Sequence, residues 1–252
     1  MFTEILILGA TLLAPADSTP KTLAAHRLAP GEAAPVLDGR LDDAIWAQAP
    51  VATDFVQSKP HAGQPATERT EARVVYDGGA VYVAMRAHDA HPDSIAAQLG
   101  RRDAGGIYSD WLHVVFDSYH DRRTGYRFSV NPRGVKMDAF HFNDGNEDDG
   151  WDAVWDVAAR MDSAGWTAEF RIPLSQLRFK PQEAGQTWGL NFAREVARND
   201  EQTSWSPMFP NQPGFASQLG TLTELRGLRS PRRLELLEWA RVVIDTVLDP
   251  AE

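Results

Sequence analysis

The sequence contains no cysteine, which excludes disulfide bonds and thiolate metal sites. Positive charge is in short supply, and the net charge of −10 at pH 7 repels polyphosphates, so no nucleic acid partner is expected. Only one long apolar run occurs, ILILGATLLA near the start, and it is about half of the roughly 20 residues that a membrane-spanning helix needs. No transmembrane helix is therefore expected in the mature chain. What remains is a chain of 252 residues, 43% of them hydrophobic, which can bury a substantial core.

The N-terminal residues differ from the rest of the chain. Residues 1–16 resemble a secretory signal, because the apolar run is followed by small residues and then by polar ones, which predicts cleavage after Ala16. The stretch carries Glu4 and neither Lys nor Arg, so an uncleaved N-terminus or a misplaced start is the alternative. We expect a flexible segment over residues 17–33 and a periplasmic, outer-membrane-associated or secreted location.

The C-terminal residues 226–252 also change character. RGLRSPRR, residues 226–233, is a local basic cluster that we interpret as a solvated linker rather than a phosphate site. Apolar residues then follow at 234, 237, 240, 244 and 247, a spacing that predicts a terminal helix.

Between these ends, apolar and polar residues alternate with a period of two, which is typical of half-buried strands. Asp77-Gly78-Gly79 is a hairpin-turn signal between two such runs. The predicted strands are 70–77, 80–89, 111–118, 126–132, 135–142, 155–162, 165–173, 187–198 and 219–225. Helical patterns are short, at 41–48, 91–99 and 173–177. The pattern predicts an all-β fold, an antiparallel β-sandwich of two packed sheets.

Several stretches resemble one known family. "VLDGRLDDAIWAQA", beginning at Val36, resembles the opening motif of carbohydrate-binding family 9-like domains, which belong with the DOMON-like β-sandwiches. "DRRTGYRFSVNPRG" and "WTAEFRIPLSQLRF" are similar to motifs of a bacterial subgroup in which this module precedes a C-terminal region resembling an outer-membrane β-barrel. The resemblance covers about residues 34–225. Only about fifteen residues follow "LRGLRSPRRLELL", so we expect either a free-standing module or a truncated chain.

Three tryptophans are expected to have structural roles, the first of them because of the family resemblance. Trp46, in the opening motif, is expected to plug the open end of the sandwich, since a buried Trp removes roughly 150–250 Å² of surface from water. Trp166 and Trp188 lie in predicted strands and are expected in the core.

The resemblance also implies a non-catalytic module that binds a carbohydrate or glycan in a loop-lined groove. The family's sugar binders clamp the sugar between two tryptophans, at positions that fall here at Ile107–Tyr108 and Pro213–Phe215. Neither position is Trp, so Tyr108 and Phe215 are expected to form a weaker clamp. The candidate ligand-binding residues are Tyr108, Trp151, Arg194, Trp205 and Phe215.

An acidic loop, HFNDGNEDDGWD over residues 141–152, has the composition of a calcium loop. The spacing of Asp144, Asn146 and Asp148 resembles the first half of an EF-hand, but position twelve is Trp155 rather than Glu. A calcium site at these three residues and a solvated acidic turn are the two alternatives.

The signals for other chemistry are weak. A glycosidase needs two facing carboxylates, and nothing marks Glu169, Asp156 or Asp152 as partners, although the family is often attached to enzymes that hydrolyse O-glycosyl compounds. Members of the wider DOMON-like group hold haem between a Met and a His. In this sequence Met85 and His141 are the candidate pair of haem ligands. Met137 and His141 lie on the same side of one strand and cannot approach opposite faces of a haem.

A second function class fits the same sequence. The module is then a structural or docking domain of an outer-membrane barrel partner, without a sugar site. The absence of the tryptophan clamp favours that reading.

Overall fold

The computed structural model describes residues 19–182 and 184–229. Within these ranges, one short helix, α1 (Ala44–Gln48), accompanies the strands. The strands are β1 (Thr22–Ala24), β2 (His26–Arg27), β3 (Val56–Lys59), β4 (Thr70–Tyr76), β5 (Ala80–His88), β6 (Trp111–Asp117), β7 (Gly125–Val130), β8 (Lys136–Phe142), β9 (Asn146–Asp148), β10 (Asp156–Asp162), β11 (Gly165–Pro173), β12 (Gln186–Val196), β13 (Glu201–Ser204) and β14 (Gly220–Leu225).

The strands form two sheets. The nine-stranded sheet has the order β1-β14-β12-β6-β7-β8-β9, and β13 joins β12 to β3 beside this path. The five-stranded sheet has the order β10-β11-β5-β4-β2. Most neighbours are antiparallel, which confirms the predicted β-sandwich, but β1–β14 and β2–β4 are parallel pairs, so both sheets are mixed.

The core lies between the sheets and is built from alternate residues of their strands, as the period of two predicts. Val81, Val83 and Met85 of β5 face residues such as Val114 and Phe116 of β6. Trp166 and Trp188 are fully buried in this core, which confirms the prediction for both.

Trp46 is buried, but it does not plug the end of the sandwich. It packs with Val75, Tyr82 and Ala84, which alternate with core residues and so lie on the outer face of the five-stranded sheet. Its Nε1 donates a hydrogen bond to Oε1 of Glu169 at 3.0 Å. The segment 36–49 therefore covers a sheet face, and this corrects the expected position of Trp46.

The N-terminal segment contributes to both sheets. β1 pairs with β14 in one sheet and β2 pairs with β4 in the other. This pairing corrects the expectation of a flexible segment over 17–33 for residues 22–27. The predicted signal at 1–16 and most of the predicted linker and helix at 226–252 lie outside the described residues.

The helix predictions hold only in part. α1 lies inside the predicted stretch 41–48. The stretches 91–99 and 173–177 contain single 3-10 turns, at Pro92–Ser94 and Leu174–Gln176. In the described residues, no helix combines the length and the apolar character that crossing a bilayer requires.

Candidate functional site

The outer face of the nine-stranded sheet carries polar and aromatic side chains at its centre. Along β12, Leu190 and Phe192 face the core. Because side chains alternate along a strand, Ala193 and Glu195 face the opposite, outer side. Glu195 pairs with Trp111 of β6, and Ala193 pairs with His113. These strand neighbours bring Trp111, His113 and Glu195 together on the outer face of the sheet.

The segment 205–219, which joins β13 to β14, folds over this face. The ring of Phe215 stacks on His141 with 3.9 Å between the ring centres, and Ala216 and Leu219 pack on Val115. Asp144 fastens the segment, because its Oδ1 accepts hydrogen bonds from the backbone N–H of Phe215 at 2.9 Å and of Ser217 at 2.8 Å.

A groove with adjoining compartments lies on this face of the sheet, and the segment lines part of it. One compartment of about 240 Å³ is bounded by Tyr108 and Trp111. The next, of about 350 Å³, is bounded by Phe209 and Phe215. Both include Glu195 and Gln202, so these two side chains stand where the compartments meet.

The groove continues beyond Phe209. A third compartment of about 610 Å³ lies beside Lys59 and Pro60 and shares Ser58 and Phe209 with the second. The groove is therefore long, and Glu195 and Gln202 are placed along its floor rather than at its end.

Glu195 is a charged acceptor in this groove. Its Oε1 lies 3.5 Å from Nε2 of His113, whose Nδ1 is 2.7 Å from Oγ of Ser129. Burial raises the pKa of Glu195, but the contact with His113 and the charge of Arg127 outweigh it and hold the pKa below its ordinary value. Glu195 is therefore ionised at neutral pH and accepts hydrogen bonds.

A second charged group lies beside His141, the residue on which Phe215 stacks. Arg127 and Glu147 form an ion pair through both guanidinium Nη atoms, and His141 Nε2 lies 3.8 Å from Glu147. Burial, together with the charge of Arg127, lowers the pKa of His141 to about 3. The imidazole is therefore neutral at physiological pH, and Phe215 stacks on an uncharged ring.

The structure places Tyr108 and Phe215 in the same groove. Tyr108 is 62% exposed and lines the first compartment, whereas Phe215 is half-buried and lines the second. The two loop positions taken from the family resemblance thus flank Glu195 and Gln202. Their role in binding stays a prediction.

Arg194 lies on the expected strand, but its side chain points to the other side of the sheet. The side chain is 1% exposed. Its Nη1 donates to the carbonyl oxygen of His88 at 2.7 Å, and Nη2 lies 3.4 Å from Oδ2 of Asp89. Since Arg194 alternates with Glu195, the inward direction follows from the strand period, and a groove contact by its guanidinium is not supported.

Trp205 and Trp151 lie in or against the core rather than in the groove. Trp205 is 3% exposed and its ring centre is 5.8 Å from that of Phe192. Trp151 is half-buried and contacts Tyr126 and Phe128, at 5.2 and 5.9 Å between ring centres. The interior position of Trp205 corrects the expectation of a presented loop ring.

The acidic loop does not gather its three predicted ligands around one point. Asp144 is directed to the backbone of segment 205–219, while Asn146 and Asp148 are exposed on β9. Oδ1 of Asp148 accepts a hydrogen bond from Gly150 N at 3.1 Å. The calcium site at these residues has no support from this arrangement.

A different acidic group is compact. Carboxylate oxygens of Asp103, Asp138 and Asp152 lie within 4.8 Å of one another. Arg102 contacts all three, including Asp138 at 2.8 Å. The guanidinium therefore supplies the positive charge that a metal ion would otherwise bring.

The haem pairing left open by the sequence is not supported by the geometry. Met85 is in the core between the sheets, whereas His141 is on the outer face of the nine-stranded sheet beneath Phe215. A sheet therefore separates the two side chains.

The sequence missed part of the groove floor. Gln202 lies on β13, a strand of four residues that was not predicted, and Met208 and Phe209 come from the same connecting region. The alternation along β12 predicts which of its polar residues faces the groove. Trp188, Leu190 and Phe192 face the core. Arg194 continues this inward series, so Glu195 faces the groove.

The fold is that of a β-sandwich module with a groove on one sheet face. The chain belongs to the family described as "Carbohydrate family 9 binding domain-like", whose model matches residues 37–211. This match confirms the resemblance to carbohydrate-binding family 9-like domains.

Solved structures share the fold. A family 9 carbohydrate-binding module from Caldicellulosiruptor kristjanssonii, in complexes with cellotriose and with glucose, is similar with TM-scores of 0.57 and 0.56 at 18% identity. The matches cover 86% and 85% of this chain and all of the module. A putative carbohydrate-binding protein from Bacteroides uniformis has a TM-score of 0.61 at 16% identity, over 81% of this chain and 99% of its own. No curated protein sequence matches the chain significantly.

Proposed function

We propose that the protein is a carbohydrate-binding module and that the groove on the nine-stranded sheet holds the sugar. The observation that carries the proposal is the placement of Tyr108 and Phe215 on either side of the polar pair Glu195 and Gln202. Membership of the family and the similar fold of sugar-bound modules support it.

The chemistry of the groove suits a neutral sugar. Aromatic rings pack against the apolar C–H surface of a pyranose, and an ionised carboxylate with a neighbouring amide can accept and donate hydrogen bonds to hydroxyl groups. Tyr108 supplies an exposed ring, and Glu195 and Gln202 supply the polar groups. Because neither ring is a Trp, we expect weak binding, on the order of millimolar, about −4 kcal/mol.

We propose a glucose-containing oligosaccharide as the ligand class. The C. kristjanssonii module of the same fold is described with cellotriose and with glucose. The successive compartments offer room for more than one sugar ring.

We propose that the groove binds without catalysis. A glycosidase acid needs a carboxyl group with a raised pKa facing a second carboxylate. The pKa of Glu195 is lowered instead, and Glu169, whose pKa is raised by burial, is sealed under Trp46 on the other sheet.

Affinity electrophoresis in gels containing soluble β-glucan tests the proposal. We expect retardation of the wild type, and its loss in Tyr108→Ala and Glu195→Gln. Tyr119→Ala is the matched control, because Tyr119 is also an exposed tyrosine but does not line the groove. Retardation unchanged by both groove substitutions would refute the assignment of the groove, and absence of retardation across a panel of glycans would favour the docking-domain alternative.

We further propose that the protein is exported. The apolar run and small residues of positions 1–16 support this. Sequencing the N-terminus of protein from a periplasmic fraction should find Asp17 first. Full-length protein confined to the cytoplasmic fraction would contradict export.

A further inference from the structure

A second pocket lies on the outer face of the five-stranded sheet, away from the sugar groove. It has a volume of about 410 Å³ and is bounded by residues 39–42 of the segment that carries Trp46 and by strands β4, β5 and β10. Five arginines line it against three acids, in a chain whose net charge is −10. The pocket is therefore a local concentration of positive charge on an acidic protein.

Strand register brings these arginines together from different parts of the sequence. Arg160 of β10 pairs with Thr167 of β11, which pairs with Arg86 of β5. Arg86 in turn pairs with Glu71 of β4, and Arg73 follows two residues later on the same face. Three arginines from three different strands thus line the same pocket.

Only some of this positive charge is neutralised by the acids in the pocket. Arg86 forms a two-point ion pair with Asp162, and Arg69 contacts Glu71. Arg73 reaches Glu71 through one Nη1 contact of 3.4 Å, while its Nε is buried without a hydrogen-bond partner.

Arg160 adds a charge that is available to a ligand. Its residue is exposed, and within the described ranges no carboxylate lies at ion-pair distance from its guanidinium. Within the described residues, Arg160 thus has no acid partner, and the acid contact of Arg73 is the single long one to Glu71.

His88, at the rim, reflects the positive surroundings. Burial lowers the pKa of its imidazole, and the charges of Arg86 and Arg69 lower it further, although Glu71 is 3.5 Å from its Nε2. Burial is the largest of these causes, and the arginine charges add to its effect on the pKa.

We infer that this pocket is a binding site for an oxyanion group, a carboxylate, phosphate or sulfate, held between Arg73 and Arg160. The planar guanidinium fork matches two oxygens of such a group, and charge-assisted hydrogen bonds to it are strong. The group comes either from a small free anion or from an acidic sugar. The inference does not depend on the proposed sugar groove, which uses the other sheet.

Isothermal titration calorimetry of the full chain tests it, with sodium phosphate, sodium sulfate and sodium glucuronate as the probes and chloride keeping ionic strength constant. We expect saturable heats with at least one probe. Phosphate or sulfate binding as tightly as glucuronate would identify a free oxyanion, and tighter binding of glucuronate would identify an acidic sugar.

Two substitutions locate the site. Arg160→Gln and Arg73→Gln should each weaken binding by about tenfold, the effect of one charge-assisted hydrogen bond. Arg133→Gln is the control for lost charge, because Arg133 is exposed in the turn between β7 and β8. Tyr108→Ala, in the sugar groove, should leave anion binding unchanged, so failure of one site is distinguishable from failure of the other.

Circular dichroism establishes that each variant is folded, and Arg160→Gln on the surface remains informative if Arg73→Gln unfolds. Absence of saturable heat with all three probes would overturn the inference. Equal weakening in Arg133→Gln would overturn it too, because the binding would then follow overall charge.

Discussion

The outer faces of the two sheets are each covered by one chain segment, but the covers differ. On the five-stranded sheet, segment 36–49 is sealed down by Trp46, which is 2% exposed. On the nine-stranded sheet, segment 205–219 leaves Phe215 half-buried over an open groove. The first cover completes a hydrophobic cluster, whereas the second shapes a cavity. The comparison indicates that one cover mainly stabilises the fold and that the other mainly lines a groove.

Both covers are fastened by a carboxylate that accepts backbone N–H groups. Glu169 accepts from Asp38 and Gly39 at 3.1 and 2.9 Å, and Asp144 accepts from Phe215 and Ser217. Burial dominates at Glu169 and raises its pKa. At Asp144, burial is outweighed by the hydrogen bonds, which lower the pKa. The two carboxylates therefore make the same kind of contact, but their pKa values are shifted in opposite directions.

The largest effect is expected at the first cover. Trp46→Ala removes a buried indole and leaves Glu169 without its side-chain donor, so the free energy of unfolding should fall by about 3–5 kcal/mol. Urea unfolding followed by circular dichroism measures it. Phe215→Ala, on the second cover, is the matched variant and should lose less. An equal or larger loss at Phe215 would remove the distinction between the covers.

A smaller effect concerns pH and the second cover. His141 has an ordinary pKa of 6.5 and a folded pKa of about 3, so the unfolded chain binds a proton first and stability falls as pH drops from 6.5 toward 3. At pH 5 this difference in proton binding lowers the free energy of unfolding by about 2 kcal/mol. Between pH 7 and pH 5, the free energy of unfolding of His141→Gln should therefore fall by about 2 kcal/mol less than that of the wild type. Parallel pH profiles of the two proteins would contradict the prediction.

The smallest effect is expected at Asp144. Asp144→Asn removes a charged acceptor and should lower the free energy of unfolding by about 1 kcal/mol at pH 7. Because the folded pKa is depressed, this stabilisation exists above the ordinary pKa of 3.8 and is lost as pH falls through the folded value. The difference between variant and wild type should therefore shrink in acid. A difference that persists at pH 2 would show that charge is not the cause.

The strands were predictable where a long alternation is present. β11 begins and ends at the predicted residues 165 and 173, because its apolar side chains recur without interruption. β1 and β2 have three and two residues, which is too few for an alternation of apolar and polar residues to be recognised. Their pairing depends on distant strands, so no local signal reveals it.

The sites were predictable only in part, for a related reason. Tyr108 and Phe215 followed from family positions in loops, and Glu195 was within reach of the strand period. Arg73, Arg86 and Arg160 lie on three strands, and only the register between the strands of this sheet brings them to one pocket. A sequence records alternation within a strand but not the partner opposite each residue.

β1 and β14 run side by side in the same direction, with Thr22 opposite Thr221 and Ala24 opposite Thr223. Chain leading into β1 and chain leaving β14 depart from opposite ends of this pair. Tension between them would shear the two strands lengthwise and load their hydrogen bonds simultaneously, instead of unzipping them singly. A module built in this way is suited to resist mechanical force that is applied between its two chain ends.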